Sequence, residues 1–229
     1  MADQRYCSRG TEEQPGHPVA DQRWRDMNRE ASMGSSFEAL CERVQGCFVC
    51  SSMNHVHVLG DVSGPLDADV MFVAEAPGRL GAARTGIPMT SDVTGRRFHA
   101  FLADAGLDRE RVFITNSILC NPLSTSGNNR RPRAGEVDAC RDFLAAQVEL
   151  VRAPVVVALG GVSLDSLRRI EAHDAELATH AGRAIDWKER TLVSLYHPSI
   201  QSTLTRPHEH QRRDWRRLGK AVRAALAAG

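Results

Sequence analysis

The chain has 229 residues, length for one generous domain or two small ones, with 42% hydrophobic and 25% charged positions; that composition excludes a disordered or fibrous protein. Its 29 basic and 28 acidic residues leave a formal net charge of +1, so bulk charge does not announce a nucleic-acid partner. The longest near-apolar run, Ala153 to Val162, holds two glycines and is too short to span a bilayer, and the start lacks the apolar core of a signal peptide. No membrane partner and a cytoplasmic address are therefore expected. In that reducing setting the six cysteines read as thiols or metal ligands rather than disulfides.

Residues 1–36 are polar, carry Pro15 and Pro18, and show no periodicity; they are expected to form a flexible tail to which only Trp24 offers an anchor. Residues 37–229 then form a single domain. A short helix is predicted over Phe37 to Val44, with Phe37, Leu40 and Val44 on one face. The pair Cys47 and Cys50 comes next, then a loop-like stretch to Pro65. Four apolar runs succeed it: Val70–Ala74, Val112–Thr115, Val155–Leu159 and Thr191–Leu195. Rich in β-branched residues and nearly continuous, they read as strands covered on both faces. Helical patterns lie between them at about Arg96–Ala105, Glu136–Val151 and Val162–Ala172, and a last one runs from Gln211 to Leu226. Strand–helix alternation predicts an α/β fold with a parallel sheet between helical layers.

The residues just past each strand are more informative than the strands themselves. The first strand leads into Glu75, Ala76, Pro77 and Gly78, the second into Asn116, the third into Gly160 and Gly161, and the fourth into Tyr196, His197, Pro198 and Ser199. Ligands of open α/β sheets bind beyond the carboxyl ends of the strands, so these groups converge on one rim. Turn chemistry alone accounts equally for Gly160 and Gly161.

Cys47 and Cys50 form a CxxC, whereas Cys120 and Cys140 are far downstream and separated by 19 residues. A zinc ribbon needs a second tight pair. One tight pair plus two scattered thiols suits an iron–sulfur cluster better, although four unrelated buried thiols fit the same spacing. Cys7 and Cys41 read as structural or incidental.

Taken together, residues 74–78 (AEAPG), residues 84–95 (RTGIPMTSDVTG), Thr115 with Asn116, and residues 197–199 (HPS) resemble the uracil-DNA glycosylase superfamily, specifically its iron–sulfur branches. The run RTG-x-P-x-T-x-D-x-x-G is closest to family 5, the B type; Glu75 is a family 4 feature. The resemblance covers about Phe37 to Leu226. It implies a three-layer α/β/α sandwich around a four-stranded parallel sheet, and a [4Fe–4S] cluster on Cys47, Cys50, Cys120 and Cys140. The chain departs from the family pattern at Ala74, where glycine is usual, and at Met89, where many relatives carry a base-stacking aromatic. Its loop between Cys120 and Cys140 is also longer.

Glycosidic hydrolysis needs a carboxylate to steady the cation on the sugar and donors to hold the departing base. The resemblance assigns the first task to Asp92, with Glu75 as the second carboxylate, and the anion-stabilising donor to His197. On sequence alone Asp92 is also a helix cap, since Ser91, Asp92 and Thr94 precede a predicted helix. Asn116 matches the asparagine that recognises the flipped base, with Glu75, Ala76 and Met89 against that base. Only two lysines exist, Lys188 and Lys220, neither in a motif loop, so a monofunctional hydrolase that leaves an abasic site is expected.

DNA contact is expected from Ser199, Ile200, Leu204 and Arg206 beyond the histidine motif, where Leu204 or Ile200 serves as the wedge that fills the vacated stack, and from Arg130 and Arg131 in the long loop. Residues 206–223 hold seven basic side chains against two acidic ones. The expected partner is DNA containing uracil or another deaminated base, bound by a monomer in the nucleoid-associated cytoplasm during base-excision repair. A catalytically weak or silent damaged-DNA-binding relative is the alternative. A covalently trapping relative would carry a basic, histidine-containing insertion, and residues 78–90 hold no histidine. A nucleotide-binding electron-transfer protein would need a glycine-rich phosphate loop after the first strand, which residues 75–78 do not supply.

Overall fold

The structure, a computed structural model, describes residues 37–228; the N-terminal segment with Cys7 and Trp24 lies outside the described residues. The chain opens with α1 (Phe37–Gln45), which buries Phe37, Leu40, Cys41 and Val44. The short strand β1 (Met53–Asn54) and then β2 (Val70–Ala74) succeed it. Next come α2 (Ala82–Thr85), α3 (Val93–Ala105), β3 (Val112–Asn116) and β4 (Asn121–Pro122). The second half holds α4 (Ala134–Leu150), β5 (Val155–Leu159), α5 (Gly161–Arg168), α6 (Leu177–His180), β6 (Ala184–Trp187), β7 (Arg190–Leu195) and α7 (His208–Ala228).

The main sheet has the order β3-β2-β5-β7-β6. The four strands expected from the apolar runs are mutually parallel, and β6 adds a fifth, antiparallel to β7. The expected count of four is thus one short. The fifth strand is hard to see in the sequence because Ala184–Trp187 has a weakly alternating, mostly exposed pattern. Its hairpin turn is also made by Lys188 and Glu189 at φ 48° and 60°. Two consecutive left-handed residues are what such a turn requires, but Lys-Glu is not the Asn-Gly signal that announces it. A second, two-stranded sheet pairs β1 with β4 antiparallel. Helix α5 ends at Arg168, four residues short of the expected Ala172. Beyond it the backbone is used by tertiary partners, with Trp187 Nε1 donating to Glu171 O at 2.9 Å.

Alternate residues of the buried strands feed opposite layers, as a pleated sheet demands. Met71, Val73, Phe113, Val156, Ala158 and Leu192 pack with the buried faces of α1, α4 and α5. Val70, Phe72, Ile114, Val157, Val193 and Leu195 pack with α3 and α7. In the second layer Trp215 of α7 lies stacked between Phe72 and Phe101, both at 5.4 Å between centroids, with Phe98 edge-on at 5.5 Å. Such rings contribute roughly 0.5–1.5 kcal/mol per pair beyond their area. Helices α3 and α7 approach so closely that a Cβ on Gly219 would lie 2.0 Å from Ala105 O.

That contact reverses an ordinary expectation. Glycine to alanine inside a helix normally stabilises by about 1 kcal/mol. At Gly219 the added methyl meets backbone, and forced overpacking costs about 1–3 kcal/mol. Gly219→Ala is therefore expected to lower the urea midpoint; a raised midpoint would show that the helices are free to part.

Candidate functional site

The carboxyl ends of β2, β3 and β7 open onto a cavity of about 520 Å³. Of the positions that the sequence motifs point to, Glu75, Ala76, Met89, Asp92, Asn116 and His197 line it. So do Arg130, Ser199 and Ile200, whereas Arg131, Leu204 and Arg206 do not. Further lining groups come from outside the motif core, among them Leu80 and Gly81 from the loop after β2, and Asn121 and Asn129 around β4. Neither asparagine stands out in the sequence, because their neighbourhood reads as an ordinary polar loop.

Asp92 caps α3 and also lines the cavity. It is the N-cap of α3 in extended geometry, and Gly95 N–H donates to its Oδ1 at 2.8 Å. Its Oδ2 lies where a side chain on Gly81 would stand, 2.6 Å from the position of that absent Cβ. One oxygen is tied to the helix and the other is packed against the loop after β2. The preceding turn is strained to achieve this: Met89 and Ser91 have φ of 53° and 67°, in the left-handed region. Gly95 must lack a side chain, because a Cβ there would lie 2.7 Å from Met89 O. Met89 is thereby held half-buried at the cavity wall.

His197 leaves β7 in a turn secured on both sides. Arg97 Nε of α3 donates to Pro198 O at 2.8 Å, and Ser202 Oγ lies 2.6 Å from His197 O and 2.7 Å from Ser199 O. Burial pushes the imidazole down to about 4, with the nearby Asp92 charge opposing only in part. The ring is consequently neutral at physiological pH and carries one N–H, the form that donates to a developing anion without already being charged. Asn116, 4% exposed, sits at the last position of β3 opposite Ala74. Burial pushes the Glu75 carboxyl up, and the Arg131 guanidinium pulls it back down.

Two arginines expected at DNA are committed inside the protein. Arg130 forms a fork with Glu136 at 2.6 and 2.8 Å and also donates to Leu123 O and Ser52 O, both at 3.0 Å. Arg206 makes a two-pronged pair with the buried Asp214, both bonds at 2.8 Å, and stands over the Tyr196 ring. Their engagement comes from carboxylates in the sequence that charge counting cannot pair. Arg131 remains exposed. Leu204 is 90% and Ile200 57% exposed, an apolar pair that no core claims.

Cys47, Cys50, Cys120 and Cys140 come together near β4. Burial pushes the Cys120 and Cys140 thiols up to about 12, and the Cys47 and Cys50 charges add to it in both cases, so the four sense one another's field. Cys41 stays in the main core. His55, His57 and Cys120 also bring their ligand atoms within 4.8 Å of one another, and His55 Nδ1 lies 3.6 Å from Cys120 Sγ. Neither histidine is conspicuous in the sequence; with a single residue between them they look like part of an alternating strand.

A parallel sheet whose carboxyl rim carries a carboxylate, a neutral imidazole and a buried amide around one cleft defines an α/β protein equipped to stabilise charges of both signs. Comparison with known proteins narrows the class. The model of the uracil DNA glycosylase superfamily matches residues 62–219. The chain is 33% identical over 164 residues to the Type-4 uracil-DNA glycosylase of Thermotoga maritima, covering 71% of this chain and 81% of that one. It is 30% identical over 198 residues to the Type-4 enzyme of Archaeoglobus fulgidus, covering 81% and 92%. A Type-5 uracil-DNA glycosylase of Pyrobaculum aerophilum is 30% identical over 149 residues, 59% of this chain and 63% of that one. The chain belongs to the uracil-DNA glycosylase superfamily, with affinity to both the Type-4 and the Type-5 members.

The state of His197 can be read directly. Its folded pKa lies below its unfolded one, so the folded protein resists protonation and loses stability as pH falls from about 6.5 towards 4. Nitrogen NMR at pH 6 is expected to show this ring neutral. Half-protonation near pH 6.5 would remove the neutral donor from the site.

Proposed function

We propose that the protein is a monofunctional DNA glycosylase that hydrolyses the N-glycosidic bond of uracil, or a related deaminated base, in DNA and leaves an abasic site. The observation that carries this reading is the placement of Asp92 and His197 on one cavity together with Asn116 at the end of β3. Asp92 steadies the positive charge that grows on the sugar and orients the attacking water. His197 donates its N–H to the base oxygen on which negative charge grows, and Asn116 offers both a donor and an acceptor to the edge of a flipped pyrimidine. Glu75, Ala76 and Met89 close the cavity against the base. Ile200 and Leu204 act as the wedge in the emptied stack, with Ser199 and Arg131 at the strand. The bonds inside the protein make Arg130 and Arg206 supports of these loops. The substrate reading, monomeric state and nucleoid setting rest on the family resemblance.

These roles set the expected outcomes of mutation. His197→Ala should lower turnover by about a hundredfold or more, the usual cost of one anion-stabilising donor. Asp92→Asn keeps the capping oxygen and loses the charge, so turnover should fall sharply with little change in melting temperature. Glu75→Gln should lose less rate and shift base preference. Single-turnover cleavage of uracil duplexes measures all three; an active Asp92→Asn beside a dead Glu75→Gln transfers the carboxylate role to Glu75.

We also propose that Cys47, Cys50, Cys120 and Cys140 hold a [4Fe–4S] cluster. The donor set fits: four mutually sensing thiols, two of them buried and held protonated, need a nearby cationic centre to become ligating thiolates. When bound, the cluster supplies that charge and cross-links the CxxC loop, β4 and α4. Iron and acid-labile sulfide near four per chain and a brown colour are expected. Zinc in their place, lost with His55→Ala and retained in Cys50→Ser, would assign the site to His55, His57 and Cys120 instead.

A further inference from the structure

We propose that His55 is a positioning residue of the iron–sulfur site, whose Nδ1–H donates to the Cys120 sulfur and raises the reduction potential of the cluster held there, an inference that rests on the cluster reading above. His55 lies just past β1, half-buried, with Nδ1 3.6 Å from Cys120 Sγ. A thiolate that ligates iron carries no hydrogen and only accepts, so the ring nitrogen facing it holds the proton. A hydrogen bond to a ligating sulfur draws electron density from it and favours the more negative, reduced cluster.

The segment around His55 is built to hold that donor. Val56 N–H donates to Asn54 O at 2.9 Å and Leu59 N–H to His57 O at 2.8 Å, so the backbone turns tightly at His55 and again at Val58. Between these turns His57 takes φ 44°, a left-handed state that residues with a side chain seldom adopt. His57 is thereby buried with two of its groups at the cysteines. Its Nε2 lies 2.8 Å from Cys47 O, an atom that can only accept, and its backbone hydrogen bond pulls the Cys120 thiol down against the effect of burial. Val58 N–H donates to Leu119 O at 2.9 Å and fixes the segment beside Cys120.

Phe48, inside the CxxC, closes the outer side. Its ring lies 5.1 Å from that of His55 and 5.4 Å from that of His57, and the two imidazoles are 5.6 Å apart. Phe48 is 47% exposed, so its ring covers this site instead of joining the main core. A donor screened from water acts more strongly on its acceptor. Backbone groups of Val49 and Leu119 serve Cys47 and Cys140. At Cys120 a side chain joins the backbone donor, and a side chain can be removed by substitution.

The test uses the full protein with its cluster, reduced by dithionite through mediators at pH 8, where an ordinary histidine is neutral. His55→Phe keeps a ring beside Phe48 and loses the N–H; His55→Asn returns an N–H close to the place of Nδ1. Both variants should bind iron and sulfide as the wild type does. One-electron reduction should become about tenfold less favourable in His55→Phe, a potential about 59 mV lower, and His55→Asn should recover most of the loss. Pulsed EPR of the reduced wild type labelled with 15N-histidine should show a weakly coupled nitrogen that is lost in His55→Asn. An unchanged potential in His55→Phe, a loss that His55→Asn does not recover, or a nitrogen coupled strongly enough to be bound to iron overturns the inference and leaves the cluster reading intact. A folded wild type that binds no iron and sulfide overturns both.

Discussion

The hydrogen bond from Gly95 N–H to Asp92 Oδ1 holds the entrance of α3 in one place, and the cleft is arranged around it. With that oxygen fixed, Oδ2 cannot rotate away and lies against Gly81 in the loop after β2. The short path from Met89 to Asp92 then requires two left-handed residues, and Gly95 must be bare so that the helix can rest on Met89 O. Further along the first turns of α3, Arg97 reaches Pro198 O and ties the His197 turn to the same helix. A single helix thus sets the distance between carboxylate and imidazole. Capping does not compete with the catalytic role proposed for Asp92, because the capping bond is what aims the carboxylate.

The legible parts of this molecule are those in which one residue carries its own reason. The four parallel strands stand out because a strand buried on both faces is continuously apolar, and their observed bounds differ from the expected ones by a residue at most. The rim motifs are legible because strand ends are where an α/β sheet binds. Concealed in the sequence are features that depend on a distant partner. The β6–β7 hairpin turns on Lys188 and Glu189, which take left-handed geometry against their preference. Asn121 and Asn129 meet only because β4 pairs with β1 and the long loop folds back. His55 approaches Cys120 across 65 residues.

The long loop between Cys120 and Cys140 shows the same dependence at larger scale. Its length reads as an insertion, yet it is bound at three levels. Arg130 joins Glu136 at the start of α4 to Ser52 beside the CxxC, Asn129 holds Arg79 N–H, and Asn121 holds Pro77 O. The residue after Cys120 is therefore bonded to the loop that carries Glu75. Order at the cysteines and order at the cavity wall share these bonds, so a group bound by the thiols would stabilise the wall without touching it.

Pairing also explains why a DNA-directed chain has a net charge of only +1. Arg206 and Arg217 with Asp214, and Arg212 and Arg216 with Asp104, engage four of the seven cations of the basic stripe, and Arg130 is paired with Glu136 outside it. The cations counted in residues 206–223 are in part mortar between α7, α3 and the loops. In the proposed reading, the cleft meets its substrate with two carboxylates, a neutral imidazole, amides and the exposed Leu80 and Ile200 side chains, and few of its groups are cationic. Recognition built from neutral donors neutralises few phosphates, so binding depends less steeply on salt than in proteins that grip the backbone with lysine and arginine alone. It also places discrimination in the cavity, where an unmatched hydrogen bond is costly, rather than in the long-range field that draws any duplex.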